Sequence, residues 1–307
     1  MSDPVAHALG GVMLAFEGHT VPPAVRRRLA EAPAAGFTLF RFANVASPTQ
    51  VRALTDDLQR AAGSHRHGGA DPPGRPLLIA ADQEGGQFLA LGDGTTPFAG
   101  NMALGAAGDV GLAERVGAAI GTELRALGVN VCYAPDLDIA TNPGNPGLGI
   151  RSFGDDPARV AELGAAWIRG LRSAGVAATA KHFPGKGDVA VDTHHDLGIV
   201  RHGRERFEAV ELRPFRAAIE AGVDLVMSGH FAVPGLTGDG ERGADPLPAT
   251  LDGRVMRDLL RRALGFEGVT ITDALDMRAL PQGDAQVLDT IAARRAGVDL
   301  LLTAIDA

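Results

Sequence analysis

At 307 residues and 45% apolar side chains, the chain can bury one large core, and α/β barrels reach this length as a single domain. A formal net charge of −8 without a basic stripe argues against a nucleic-acid partner and favours a neutral or weakly charged substrate. A single cysteine excludes an internal disulfide, no apolar run reaches bilayer length, and no basic region precedes the first apolar segment, so no signal peptide or membrane partner is expected and the cytoplasm is the expected location.

In chain order, an apolar strand is expected at Gly11–Phe16 and a helix at Pro22–Ala32, whose Arg26, Arg27 and Arg28 read as a solvated face. A strand at Phe37–Phe40 precedes a helix at Pro48–Ala62, announced by Ser47 before Pro48. Residues 63–75 read as a polar loop. Its His65 and His67 lack a carboxylate or cysteine at ligand spacing, so no metal is expected there. A strand at Pro76–Ala81, a helix at Val110–Leu127 and a strand at Val129–Ala134 follow, the last holding Cys132 as a buried thiol. Asp156 before Pro157 opens a helix over Pro157–Ala174. Strands at Val176–Ala180, Val223–Ser228, Val269–Thr272 and Val298–Thr303 alternate with helices at Arg204–Ala221 and Leu251–Leu264. Gly36, Gly128, Gly175, Gly222 and Gly297 each stand where a helix ends before the next strand.

Near-continuous apolar strands alternating with amphipathic helices predict an α/β fold, a (β/α)8 TIM-type barrel occupying 1–307 as a single domain. A doubly wound open sheet is the alternative. The eighth strand ends at Thr303 with no closing helix after it, so the chain reads as truncated or as the N-terminal part of a longer two-domain protein.

Polar residues collect at the strand exits: Glu17, Arg41, Asp82 to Glu84, Asp136 and Asp138, Lys181 and His182, His230, and Asp273. In a barrel that end carries the chemistry. Each has a structural reading too: Asp82 as a turn cap beside Gly85, Asp273 as a helix N-cap, Glu84 as the partner of a nearby cation. Together they predict a small-molecule site on one face. The densest stretch is Lys181-His182-Phe183-Pro184-Gly185-Lys186-Gly187-Asp188, then Asp192-Thr193-His194-His195. Asp192 and His194, two apart in extended backbone, can face one side, where the carboxylate orients the imidazole and stabilises its protonated form as an acid/base pair. Solvated loop histidines or a metal site are the other readings.

These segments resemble the signature of family three glycoside hydrolases, in their bacterial β-N-acetylhexosaminidase branch. Asp82-Gln83-Glu84-Gly85-Gly86, Asn145-Pro146 through Gly149-Ile150-Arg151-Ser152-Phe153-Gly154, Met227-Ser228-Gly229-His230 and Ile271-Thr272-Asp273-Ala274-Leu275-Asp276-Met277 agree with it in order. The resemblance implies Asp273 as nucleophile, His194 as acid/base with Asp192 as its partner, and Asp82, Arg151, Lys181, His182 and His230 at sugar-binding positions, with no cofactor and no metal. Two positions depart: Lys186 where the common pattern has a second histidine, read as support for the loop rather than as a group performing chemistry, and Ala90 where it has a sugar-binding arginine.

The function so implied is a retaining glycosidase that releases terminal β-linked N-acetylglucosamine from cell-wall or chitin fragments, with a small carbohydrate as its partner. A phosphorylase or β-glucosidase on the same scaffold, and a non-catalytic sugar-binding barrel, are the alternatives. Oligomeric state is not legible in the sequence.

Overall fold

The computed structural model describes residues 10–31, 34–63, 76–193, 196–239 and 246–303. His65, His67 and His194 lie outside these residues. Eight strands alternate with seven major helices. They are β1 (Val12–Leu14), α1 (Pro23–Glu31), β2 (Gly36–Thr38), α2 (Pro48–Gly63) and β3 (Leu78–Ala81). Then come α3 (Val110–Ala126), β4 (Val131–Cys132), α4 (Pro157–Ser173), β5 (Ala177–Phe183) and α5 (Leu212–Glu220). The last are β6 (Leu225–Ser228), α6 (Arg254–Ala263), β7 (Val269–Thr272), α7 (Ala285–Ala296) and β8 (Leu301–Leu302).

Each strand pairs in parallel with the next, and β8 pairs with β1. A bridge between Ile271 and Leu300 joins β7 to β8 and closes the ring. The result is the (β/α)8 barrel that the alternation predicts. Its apolar side chains form two cores. One fills the barrel, with Met13, Val131, Tyr133, Met227, Ile271 and Leu302 among its members. The other lies between strands and helices and is anchored by fully buried Trp167 and Phe215. Period-two side chains on the strands make this division, one face inward and one toward the helices.

Local chemistry sets the helix ends. Asp156 Oδ1 accepts the Ala158 N–H at 2.8 Å with Pro157 at the first helical position, and Asp109 Oδ1 accepts the Leu112 N–H at 2.9 Å. The α3 and α4 backbones touch through glycines: a β-carbon at Gly170 would lie 1.9 Å from the Glu114 carbonyl oxygen, and one at Gly117 2.3 Å from that of Trp167. These two positions accept nothing larger.

Three features differ from the sequence reading. The helix expected over Arg204–Ala221 is two pieces, Arg204–Ala209 and α5. Pro214 has no N–H to offer the Val210 carbonyl, so the ladder breaks there. The segment read as Leu251–Leu264 begins with a short tight turn, Ala249–Leu251, and α6 ends in wide turns, Leu264 N–H reaching the Leu259 carbonyl at 2.9 Å. The third is α7, which the sequence reading did not name. Its buried face is only Ala293 and Ala296, while Val287, Leu288 and Ile291 are exposed, so its apolar residues do not follow the core-facing stripe. No helix among the described residues is long and apolar enough to cross a membrane.

Candidate active site

The β5 exit is shaped by a bulge. Thr179 and Ala180 pair with Leu225 and Val226, but Phe183 pairs with Ser228, so β5 uses three residues where β6 uses two. The extra residue turns both Lys181 and His182 into the barrel mouth, 2% and 3% exposed. The chain beyond is pinned. Asn145 donates its Nδ2 hydrogens to the Lys186 and Gly187 carbonyls, and a β-carbon at Gly187 would meet the Ile139 carbonyl oxygen at 1.8 Å. Farther on, His202 and Asp188 pair at 2.6 Å, and Gly198–Ile199 pairs in parallel with Phe231–Ala232.

Around Lys181 lies a buried ion network. Its ammonium is 2.6 Å from Asp82 Oδ1 and 2.7 Å from Glu84 Oε1. Arg151 holds Glu84 with two parallel bonds, at 3.0 and 2.8 Å, approaches Asp136 at 3.2 Å, and stacks over the Phe88 ring at 4.5 Å. Burial pushes the Glu84 carboxyl up, but Lys181 and Arg151 outweigh it and hold the carboxyl at about 2. The structural reading of Glu84 as an ion-pair partner is thus what the site contains.

Beneath this network, Asp136 and Asp138 are fully buried side by side. Burial, and then the charge of Asp136, push the Asp138 carboxyl well above the usual range. Asp138 accepts the Lys186 backbone N–H at 2.7 Å and contacts His182 Nδ1 at 2.8 Å. The Lys186 ammonium sits 3.4 Å from His182 Nε2. A lysine ammonium only donates, so Nε2 accepts and the ring proton lies on Nδ1, facing Asp138. Ligand atoms of Asp136, Asp138 and His182 fall within 4.8 Å of one another, the spacing a cation needs, but Arg151 and Lys186 already bring positive charge to the cluster.

Across the mouth, β7 delivers Asp273. Its backbone N–H donates to the Ser228 carbonyl at 3.0 Å, and its Oδ1 accepts the Ala274 N–H at 2.9 Å. Oδ2 is 3.9 Å from His182 Nε2, and 16% of the side chain remains exposed. Burial raises its carboxyl, but Lys186 foremost, then His230 and the Ala274 N–H, more than offset this and hold it below the usual range. His230 stands behind the turn, 1% exposed, with Nε2 3.0 Å from the Ala274 carbonyl oxygen and Nδ1 2.9 Å from Thr250 Oγ1. Burial lowers its pKa, and the Ala274 carbonyl oxygen, which can only accept, takes a hydrogen bond from Nε2. Both ring nitrogens thus lie within hydrogen-bond distance of protein atoms.

Asp82, Arg151, Lys181, His182 and Asp273 therefore line one cavity of about 460 Å³, a volume suited to a small ligand. Asp192 is half-buried on the loop beyond β5 and does not line it. Lys186, which the sequence reading assigned to loop support, lines the cavity between His182 and Asp273; its place inside the densest polar segment was the signal. Ala90 lines the same cavity, whose wall also includes Arg41 and Phe88. Cys132 is a buried thiol as expected, pushed up to about 12 by burial.

Known proteins resemble this chain in sequence and in fold. The chain is 38% identical over 296 residues to "Beta-hexosaminidase A" of Pseudoalteromonas piscicida, covering 93% of this chain and 48% of that protein. It is 34% identical over 311 residues to a "Beta-hexosaminidase" of Hydrogenovibrio crunogenus, covering 98% and 80%. The solved structure of a glycoside hydrolase family 3 beta-N-acetylglucosaminidase from Paenibacillus sp. str. FPU-7 superposes with a TM-score of 0.92 at 43% identity, covering 99% of this chain and 55% of that one. The chain thus spans about half the length of the first and third of these. Residues 13–307 match the Glycosyl hydrolase family 3 N terminal domain, and the chain belongs to that family.

Proposed function

We propose that the protein is a retaining glycosidase that removes terminal β-linked N-acetylglucosamine, with Asp273 as nucleophile and His194, oriented by Asp192, as acid/base. One observation carries this reading. Asp273 is a partly exposed carboxylate held below its usual range at a cavity where Lys181, Arg151 and Asp82 are already engaged in ion pairs. An ionised carboxylate is what a double displacement needs against the anomeric carbon and its oxocarbenium-like transition state. Lys181 and His182 are fixed by their acidic partners, and Asp82, with 35% of its side chain exposed, still presents acceptor capacity to sugar hydroxyls. In the first step Asp273 attacks the anomeric carbon and the imidazolium of His194 protonates the leaving oxygen. In the second, neutral His194 takes a proton from water as it attacks the glycosyl-enzyme. His230 braces the turn that presents Asp273. The relatives' names supply the N-acetylglucosamine specificity; chitin or cell-wall fragments are the natural sources of that linkage.

Cleavage of an aryl β-N-acetylglucosaminide, compared with an aryl β-glucoside and with phosphate varied, tests the proposal. The expected result is preference for the N-acetyl substrate and free sugar as product at every phosphate concentration. Preference for the glucoside, release of a sugar phosphate, or binding without turnover would each replace it, by a β-glucosidase, a phosphorylase or a sugar-binding barrel respectively.

A further inference from the structure

The cavity has a second region that the ion network does not explain. The turn after β2 carries Phe40, Arg41 and Phe42, all lining the cavity. Phe42 is 78% exposed, more than any other large apolar side chain among the described residues. Its only ring neighbour there is Phe40, 5.7 Å away and tilted by 40°. The turn is held in this form from below. Asn44, fully buried, accepts the Phe40 N–H at 2.9 Å and donates to the Phe16 and Gly18 carbonyls at 2.8 and 3.2 Å. Phe42 is therefore presented to solvent by a fixed backbone.

Arg41 differs in the same way from the other cavity cations. Lys181 and Arg151 sit buried between carboxylates. Arg41 is 55% exposed, and its contact at 3.3 Å is with Asp93, itself fully exposed. A pair of this kind in water holds weakly and is readily exchanged. Gly92 makes room for the guanidinium: its φ is +59°, and a β-carbon there would lie 2.8 Å from Arg41 Nε.

Resting on the glycosidase reading for the direction of the substrate, we propose that Phe42 and Arg41 form the subsite for the leaving-group sugar. The terminal sugar's hydroxyls match the deep polar groups, so the scissile bond and the ring beyond it face the lip. A pyranose has an apolar C–H face and a polar rim. Its face fits the Phe42 ring, and a rim hydroxyl takes the guanidinium in place of Asp93.

Binding to the Asp273→Asn protein, measured by calorimetry with N-acetylglucosamine and N,N′-diacetylchitobiose, tests this. The disaccharide is expected to bind roughly tenfold more tightly than the monosaccharide, and Phe42→Ala in that background to remove most of this advantage; Arg41→Ala should remove about threefold. No disaccharide advantage, or one that survives Phe42→Ala, overturns the subsite. With Asp273 intact, Phe42→Ala should lower kcat/KM for the disaccharide roughly tenfold further than for N-acetylglucosaminyl fluoride, whose leaving group has no ring. Equal losses would mean a general effect on the cavity and sink the proposal. Should the parent protein cleave neither substrate while the binding difference holds, the glycosidase reading fails and the subsite stands.

Discussion

At the β5 exit, Lys181 and His182 are gripped by Asp82, Glu84 and Asp138, carboxylates delivered by the β3 and β4 exits, and almost nothing of either side chain reaches solvent. At the β7 exit, facing them across the cavity, Asp273 is held by backbone N–H and carbonyl groups and keeps part of its carboxylate open. The first exit is rigid because each charge has a partner of opposite sign. The second is reactive because its cations, Lys186 above all, stand near enough to keep it ionised without capping it. Position comes from one side of the cavity and chemistry from the other.

Removing each side separately should give unlike results. Asp273→Ala is expected to lower kcat for an aryl N-acetylglucosaminide by on the order of 10⁴-fold or more while leaving thermal unfolding near that of the parent, because buried Lys186 keeps the charges of Asp136 and Asp138 beside it. Activity within tenfold of the parent would remove Asp273 from its role. Lys181→Met should act mainly on the fold. It strands Glu84 with only Arg151 and leaves Asp82 unpaired, a loss of about 3–5 kcal/mol in denaturant unfolding. The pH dependence has a defined sign. Glu84 is held at about 2 against its ordinary 4.5, so its ion pairs stabilise the fold fully above 4.5, and that stability is lost as pH falls toward 2. Without Lys181 the folded value rises, and acid unfolding should begin at higher pH. An unchanged acid transition would mean that Arg151 suffices.

The sequence made much of this legible, and its gaps have causes. All eight strands were found, and β7 coincides with its expected range, but Val129–Ala134 shrinks to β4, Val131–Cys132, since an apolar run marks burial and not the few residues whose backbones pair. The exits were readable because polar residues break apolar runs there. The partner of each was not: Glu84 and Arg151 are 67 positions apart, and only the closed ring brings them together. The motif around His230 says nothing of its contacts with Thr250 and Ala274, which depend on how the β6 and β7 exits stack. Lys186 was discounted as a loop support because the bulge that turns β5 inward leaves no mark in residue type.

Lys186 also offers the finest way to probe the contrast between the two exits. Its charge is the chief influence that holds Asp273 below its ordinary 3.8 against burial; His230 adds to it only where the imidazole is protonated. In Lys186→Met, burial should prevail and the Asp273 pKa should rise. The nucleophile must be ionised, so the acid limb of kcat/KM should move to higher pH, with activity at the acid end lost first. The stability linked to Asp273 should shift in the same sense: present above the unfolded pKa in the parent and lost as pH falls through a lower folded value, it should be lost earlier in the variant. A pH–rate profile on an activated aryl substrate, whose leaving group needs little protonation, reads this limb without interference from the acid/base group. Lys186→Arg keeps the charge and should restore the parent limb. A limb that stays put in Lys186→Met would mean that backbone N–H groups hold Asp273 ionised on their own, and the two exits would then differ in exposure but not in where their charge balance comes from.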